Sequence, residues 1–350
     1  MRIFACLVFL CASFSAFAQQ TINGTLTHDG IQRTYILYVP ASYTAGNDVP
    51  LIFNLHGYTS NASEQMAYGD FRSISDTAGF IVVHPQGTLD NQSTTHWNVG
   101  WGGSTVDDVG FLSALIDDLA SQYSIDTDRV YSTGMSNGGF MSYELACQLS
   151  NKIAAIASVT GSMSPVTYNN CNPQHPVPVM EVHGTADGVV DYNGSSFSKS
   201  IAEVLHYWVG FNNCNATPAF VAVPNTNLLD GSTVEHYVYG GGDDGVEVEH
   251  FKVIGGGHTW PGWIWGGAGT GHNQDINASA EIWRFFSKYD INGLVSGVPT
   301  TLDPVSIQEN FPKVVRVVDI LGRDVTTSKQ GVLFYMYDDG SVQKKLNWNR

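Results

Sequence analysis

At 350 residues the chain exceeds one average domain and suits a large α/β domain with a small appendage. Sixteen basic residues face 32 acidic ones, a net charge of −16 at pH 7, and the excess is concentrated between residues 19 and 300, which hold eight basic and 26 acidic residues. Such a surface repels nucleic acid and anionic membranes, and after residue 18 no apolar run approaches the length of a membrane span.

The chain begins with Met1-Arg2 and an apolar run from Ile3 to Phe17 that closes on Ala16-Phe17-Ala18, the pattern of a secretory signal peptide cleaved after Ala18. Export would leave Cys147, Cys171 and Cys214, an odd set. One disulfide and one free thiol is the simplest outcome; Cys147 with Cys171 is the preferred pair, although three pairings satisfy the sequence.

Strands are expected at Tyr35 to Val39 and Leu51 to Leu55, and the second runs into His56-Gly57-Tyr58. A polar helical stretch from Ser63 to Ala78 leads to the apolar strand Phe80 to Val83, then to a long loop from Pro85 to Val106 of the length that carries function. Asp107 is placed to cap a helix whose Val109, Phe111, Leu112, Leu115, Ile116 and Leu119 recur at helical spacing. Asp107 with Asp108 imitates a paired-carboxylate site, but two acids at a helix start are ordinarily caps. Further strands are expected at Val130 to Thr133, Ile153 to Val159, Val177 to Val182 and Val246 to Ile254, with helices from Gly139, over Ile201 to Phe211 and over Ala278 to Tyr289. This alternation implies a mostly parallel sheet covered by helices on both faces. The expected division is a signal peptide over 1–18, a catalytic α/β domain over 19–294, a linker over 295–306 and a β-rich module over 307–350.

The most telling segment is Gly134-Met135-Ser136-Asn137-Gly138, between a buried-strand pattern and a helical one. In a G-x-S-x-G elbow the serine occupies a sharp strand-to-helix turn, and the helix that follows aims N–H groups at the place where an oxyanion forms. Ser136 is therefore the candidate nucleophile. A nucleophilic serine needs a base and an orienting acid, which in this fold class follow in the order Ser, Asp, His. Asp187, just past the strand leading into His183-Gly184-Thr185-Ala186, is the candidate acid, with Asp191 as its rival. His258, after Gly255-Gly256-Gly257 at the end of the last core strand, is the candidate base, ahead of His56, His84, His96, His183 and His272. The oxyanion hole is assigned to the N–H groups of Tyr58 and Asn137. Trp97, Trp101, Trp260, Trp263 and Trp265 lie in loops flanking this point; they either form an aromatic rim for substrate or pack those loops. The cysteines lack zinc-like spacing and neither H-E-x-x-H nor H-x-H occurs, so no metal and no cofactor is expected.

Over about residues 30 to 290 the chain resembles the secreted polyhydroxybutyrate depolymerase and feruloyl esterase family of α/β-hydrolases, which also includes acetylxylan esterases. The matching stretches are Leu55-His56-Gly57, Val106 to Phe111, Arg129-Val130-Tyr131, Gly134 to Gly139, His183 to Asp187 and Gly255 to Gly262. The resemblance implies the α/β-hydrolase fold and ester hydrolysis, with Ser136, Asp187 and His258 at the positions of the family triad. Many relatives carry cysteines in the loop matching Trp97 to Gly103; this chain has none there. The final segment, with Val314 to Val325 and Gly331 to Gly340 reading as short strands, resembles the C-terminal sorting domain of the type IX secretion system, which implies export and the secretion machinery as a partner; a carbohydrate-binding β-module is the other reading. For the whole chain the expectation is a secreted serine ester hydrolase acting on feruloyl or acetyl esters of plant polysaccharide or on a polyhydroxybutyrate-type polyester. A serine peptidase using the same triad and a non-catalytic surface-binding protein are the alternatives.

Overall fold

A computed structural model describes residues 19–263, 271–296, 314–319, 322–325, 331–337 and 342–347. The chain divides into two compact units, residues 1–298 and 299–350. The expected signal peptide, the linker over 295–306 beyond Ser296, and Trp265 lie outside the described residues.

In the first unit the strands β1 (Gln20–His28), β2 (Ile31–Val39) and β3 (Val49–Leu55) precede the helices α1 (Ala62–Tyr68) and α2 (Arg72–Ala78). Strand β4 (Ile81–Pro85) and a small hairpin, β5 (Thr88–Leu89) with β6 (Thr95–His96), lead to helix α3 (Asp108–Gln122). Then follow β7 (Ile125–Met135), α4 (Asn137–Gln148), β8 (Ala155–Val159), α5 (Pro165–Asn170), β9 (Val179–Gly184) and α6 (Ile201–Phe211). The unit closes with β10 (Ala219–Ala222), β11 (Thr233–Tyr239), β12 (Val248–Ile254), α7 (Ala278–Phe286) and the short strands β13 (Tyr289–Asp290) and β14 (Gly293–Leu294).

Ten of these strands form one sheet in the order β1-β2-β4-β3-β7-β8-β9-β12-β11-β10. The six central strands, β4 to β12 in that order, are parallel, and antiparallel strands finish both edges. Buried clusters cover both faces: Phe53, Phe111, Phe140 and Trp208 belong to one, and Phe80, Tyr131, Phe251 and Phe285 to the other. Strands β4, β8 and β9 are buried at every residue, which is why they carry apolar residues on both faces without alternation, interrupted by the buried His84, Ser158, Glu181 and His183. This is the α/β-hydrolase fold.

The stretch from Ser63 to Ala78, expected as one helix, is two. The first ends at Gly69, whose carbonyl accepts a hydrogen bond from buried Asn54 at 2.7 Å; Asp70 then accepts from the Arg72 N–H at 2.9 Å and starts the second. The core strand β3 thus sets the break through Asn54. The helix expected to reach Tyr289 stops at Phe286, and Tyr289 enters β13 with its ring buried. Asp107 caps α3 through the Gly110 N–H at 2.8 Å, but Asp108 does other work: it pairs with buried Arg33 at 2.7 Å and accepts from the Asn98 N–H at 2.8 Å, anchoring the long loop.

In the second unit β15 (Val314–Asp319), β16 (Gly331–Tyr337) and β17 (Val342–Asn347) make a three-stranded antiparallel sheet.

Candidate active site

Strand β7 is central in the sheet, and the chain leaves its carboxyl end at Ser136 with φ 54° and ψ −120°, a left-handed conformation that costs a non-glycine residue about 1 to 3 kcal/mol. Close packing maintains it. The Ser136 N–H donates to the Val159 carbonyl at 2.8 Å, and the Phe140 N–H donates to the Ser136 carbonyl at 3.0 Å, so the helix starts without an intervening residue. A Cβ on Gly138 would run into the carbonyl oxygen of Leu55, which explains why the elbow requires glycine there.

The acid and base loops leave the adjacent strands β9 and β12 at the same edge of the sheet, where open α/β sheets build their sites. They are hydrogen-bonded to each other: the Thr185 N–H to Val253, the Ala186 N–H to Gly256, both at 2.9 Å, and the Gly255 N–H to the Thr185 hydroxyl at 2.9 Å. A side chain on Gly184 would strike the Gly256 carbonyl, so a glycine at that point lets the loops approach. His258 Nδ1 lies 2.8 Å from Asp187 Oδ2, while Asp187 Oδ1 accepts the N–H groups of Val189 at 2.8 Å and Val190 at 3.0 Å. Burial opposes ionisation of Asp187, but the hydrogen bond from His258, the attraction between the two, and the Val189 N–H outweigh it and hold the carboxyl below its ordinary range. With Nδ1 committed to the acid, His258 presents Nε2 to the cleft, and its side chain is 19% exposed. The rival Asp191 is exposed and accepts from the Asn193 N–H in its own turn.

Ser136 stands between two cavities. One, of about 270 Å³, is also lined by His258, Tyr68, Trp263 and His272. The other, of about 430 Å³, is lined by Trp101, Phe197 and Val189 together with the polar Asp90, Asn91 and Asn98. Tyr58 lines both, and its hydroxyl donates to Asp90 at 2.8 Å.

Asn137 is the first residue of α4, so its N–H has no acceptor within the helix and faces the elbow. Its buried side chain accepts from the Trp97 N–H at 2.6 Å and donates to the Trp97 carbonyl at 3.0 Å, while the Trp97 indole N–H donates to the His56 carbonyl at 3.0 Å. His56 Nε2 accepts from the Gly87 N–H at 2.9 Å, which leaves Nδ1 protonated and donating to the Gly57 carbonyl at 2.8 Å. Burial pushes His56 down to about 4, and it stays neutral. His56, read from sequence only as a competing base, therefore ties the Tyr58 turn to the long loop, and Trp97 and Asn137 complete the tie.

The tryptophans divide. Trp97 and Trp260 are buried, Trp97 against the larger cavity and Trp260 against the smaller, with the Trp260 indole N–H on Ser279 at 3.2 Å. Trp101 and Trp263 face the two cavities. Cys147 and Cys171 form a disulfide between the end of α4 and the residue after α5; the Cys214 thiol is free and burial pushes it up to about 11. His84 is buried on β4, and His96, whose Nδ1 lies 3.1 Å from the Thr88 carbonyl in the hairpin, lines the larger cavity. Among the described residues one grouping brings three metal-binding atoms together, His28, Asp29 and Asp107, at an exposed turn where Asp107 already caps α3.

Residues 33–196 match the family described as esterase PHB depolymerase. Over 280 residues, 79% of this chain, the sequence is 30% identical to a bifunctional acetylxylan esterase/xylanase of Neocallimastix patriciarum, and over 238 residues, 65% of this chain, it is 30% identical to feruloyl esterase B of Piromyces equi. These alignments cover 36% and 42% of the two relatives, so the chain spans less than half of either. Among solved structures, an acetyl xylan esterase from Aspergillus awamori superposes with a TM-score of 0.51 at 15% identity, over 77% of this chain and 99% of that one, a likeness of fold.

Proposed function

We propose that the chain is a serine carboxylic-ester hydrolase in which Ser136 is the nucleophile, His258 the general base and acid, and Asp187 the orienting acid. The observation that carries this reading is the convergence at one cleft: a serine in a strained elbow shares a cavity with a histidine whose far nitrogen is hydrogen-bonded to a buried carboxylate. His258 Nε2 takes the Ser136 proton as Oγ attacks the ester carbonyl carbon, and the carbonyl oxygen becomes an oxyanion facing the N–H groups of Tyr58 and Asn137. Collapse of this intermediate breaks the bond to the alcohol, which leaves with the proton from His258. Water, deprotonated by the same nitrogen, then attacks the acyl-enzyme and releases the acid and Ser136. No step requires a cofactor.

The leaving alcohol must meet His258, so the cavity with Tyr68, Trp263 and His272 takes the alcohol portion, and the larger cavity past Trp101 and Phe197 takes the acyl portion. An aromatic-walled acyl cavity carrying amide and carboxylate groups suits a hydroxylated aromatic acid and also admits acetate. Together with the names of the relatives, this favours feruloyl or acetyl esters of plant polysaccharide over a polyester. Acid release from feruloylated arabinoxylan, acetylxylan and polyhydroxybutyrate by the purified protein tests the reading: the first two should be hydrolysed well above the third, and activity on the polyester alone would reverse the assignment.

We further propose that residues 1–18 export the chain and that the β15-β16-β17 module resembles, and acts as, a type IX sorting tail. No helix among the described residues is long and apolar enough to cross a membrane. Deleting 307–350 should leave the hydrolytic rate of the purified enzyme unchanged and retain the protein inside a type IX-competent host; continued release would remove the sorting role.

A further inference from the structure

The acid of the proposed site has a second histidine behind it. His183, the penultimate residue of β9, is fully buried, with Nδ1 3.0 Å from Glu181 Oε1 and Nε2 2.8 Å from the Val190 carbonyl and 3.5 Å from Asp187 Oδ2. Every atom facing its ring nitrogens is an acceptor. A neutral imidazole has a single N–H and would turn a bare lone pair toward one of these oxygens. Glu181 could close that gap only by carrying the proton itself; burial raises its carboxyl above the ordinary range, but the two hydrogen bonds it accepts, from His183 and from the Tyr143 O–H at 2.7 Å on its other oxygen, stabilise the carboxylate against that penalty.

Resting on the Ser136, His258 and Asp187 reading, we propose that His183 is an imidazolium permanently held between Glu181 and Asp187, and that it is a positioning residue that fixes the orientation of the catalytic acid and moderates its charge. Asp187 Oδ2 is shared by two imidazoles, His258 in the cleft and His183 inside. The clamp is reciprocal: Val190 donates its N–H to Asp187 and accepts from His183 with its carbonyl, so one histidine holds both the acid and the turn carrying it. The other ionisable groups around the pair leave the positive charge on His183. On β12, His250 Nδ1 faces the Glu181 backbone carbonyl at 3.0 Å and Nε2 faces the Tyr192 hydroxyl at 2.9 Å; burial pushes this imidazole down to about 3, and it is neutral. Lys252, opposite His183 in the register, pairs with Glu235 at 3.3 Å. Tyr192 meets the His183 ring edge-on with centroids 5.9 Å apart. On the cleft side His258 faces Asp187, with Ser136, Tyr68 and His272 in the same cavity. The Glu181 carboxylate and the Val190 carbonyl together raise the tendency of His183 to hold its proton, against the penalty of burial.

A fixed positive charge behind Asp187 weakens the attraction of the acid for a protonated His258, so the base is free at lower pH than an isolated dyad would allow. Glu181→Gln keeps the shape and removes the charge that holds the second proton on His183. In this variant the lower limb of the kcat/KM profile for p-nitrophenyl acetate should move to higher pH by about half a unit or more, with KM within about twofold of the parent. Histidine ¹⁵N spectra of the unsubstituted protein supply the second readout: one buried ring should show both nitrogens protonated and untitrated from pH 6 to 9, and His183→Gln should remove that signal. A profile superposing on the parent's, or a His183 ring with one bare nitrogen at pH 7, would overturn the proposal. If the parent hydrolyses no ester, the esterase reading fails instead, and the spectra still decide the charge state of His183.

Discussion

The two halves of the cleft are built by different physics. The elbow half, from β7 through Ser136 into α4, is fixed by exclusion: a strained residue, a helix starting at once, and a glycine whose missing side chain lets the Leu55 carbonyl in. The loop half, carrying Asp187 and His258, is fixed by attraction, through backbone hydrogen bonds between the loops and a chain of ionisable groups running from the cleft into the core. Steric exclusion fails abruptly and is indifferent to pH. Attraction fails by degrees and depends on protonation.

The largest effects are expected at the elbow. Ser136→Ala should lower turnover of a p-nitrophenyl ester by at least about 10⁴-fold while the thermal midpoint stays within a few degrees, because the hydroxyl is lost and the packing kept. A single methyl added nearby should do as much by another route: Gly138→Ala must push Leu55 or the helix start away, with soluble yield and activity lost together. In the loop half, Asp187→Asn should cost about 10³- to 10⁴-fold in kcat and leave KM nearly unchanged, since the amide cannot enforce the tautomer that exposes a basic Nε2. Asn137→Ala leaves its own N–H in place but frees the Trp97 segment, so a smaller loss of about 10- to 100-fold is expected, read in steady-state kinetics.

Stability sharpens the contrast further. Burial pushes His84 and His250 down to about 3 and His56 to about 4, so all three are neutral when folded, whereas the unfolded chain takes up protons below about pH 6.5. Their contribution is complete above pH 6.5 and is lost as pH falls, toward about 4 for His56 and about 3 for His84 and His250. His183, raised instead, has the opposite sign: its contribution is complete below about pH 6.5 and lost only as pH rises through its folded value. The thermal midpoint should therefore fall from pH 7 to pH 5, and His84→Leu, at a ring whose Nδ1 has no partner among the described residues, should flatten that slope; an unchanged slope would rule out His84 as a source of it.

The exclusion half was legible in the sequence because steric demands leave residue types at fixed spacing: glycines two before and two after Ser136, an apolar run ahead and a helical face behind. The α6 helix was legible from its amphipathic pattern over Ile201 to Phe211, and in the structure a Ser200 and Glu203 capping box starts it. What escaped depends on partners distant in the chain. Strand β1, Gln20–His28, is a half-exposed edge whose polar alternation carries little core signal, and β10 is short and alternates at the opposite edge. The helix break at Gly69 is set by Asn54, fifteen residues away. His56 and His183 each appeared only as competing bases, since nothing local distinguishes a histidine that clamps a loop from one that moves a proton. Nor does anything local separate the buried Trp97 and Trp260 from the half-buried Trp101 and Trp263.

Labelling with a fluorophosphonate and mapping the modified peptide tests the catalytic assignment most directly. Stoichiometric modification of Ser136 is expected, slowed by about 100-fold or more when His258 is replaced by Gln, which removes the base and leaves the elbow intact. Modification of a different residue, or labelling of Ser136 at the same rate without His258, would contradict it.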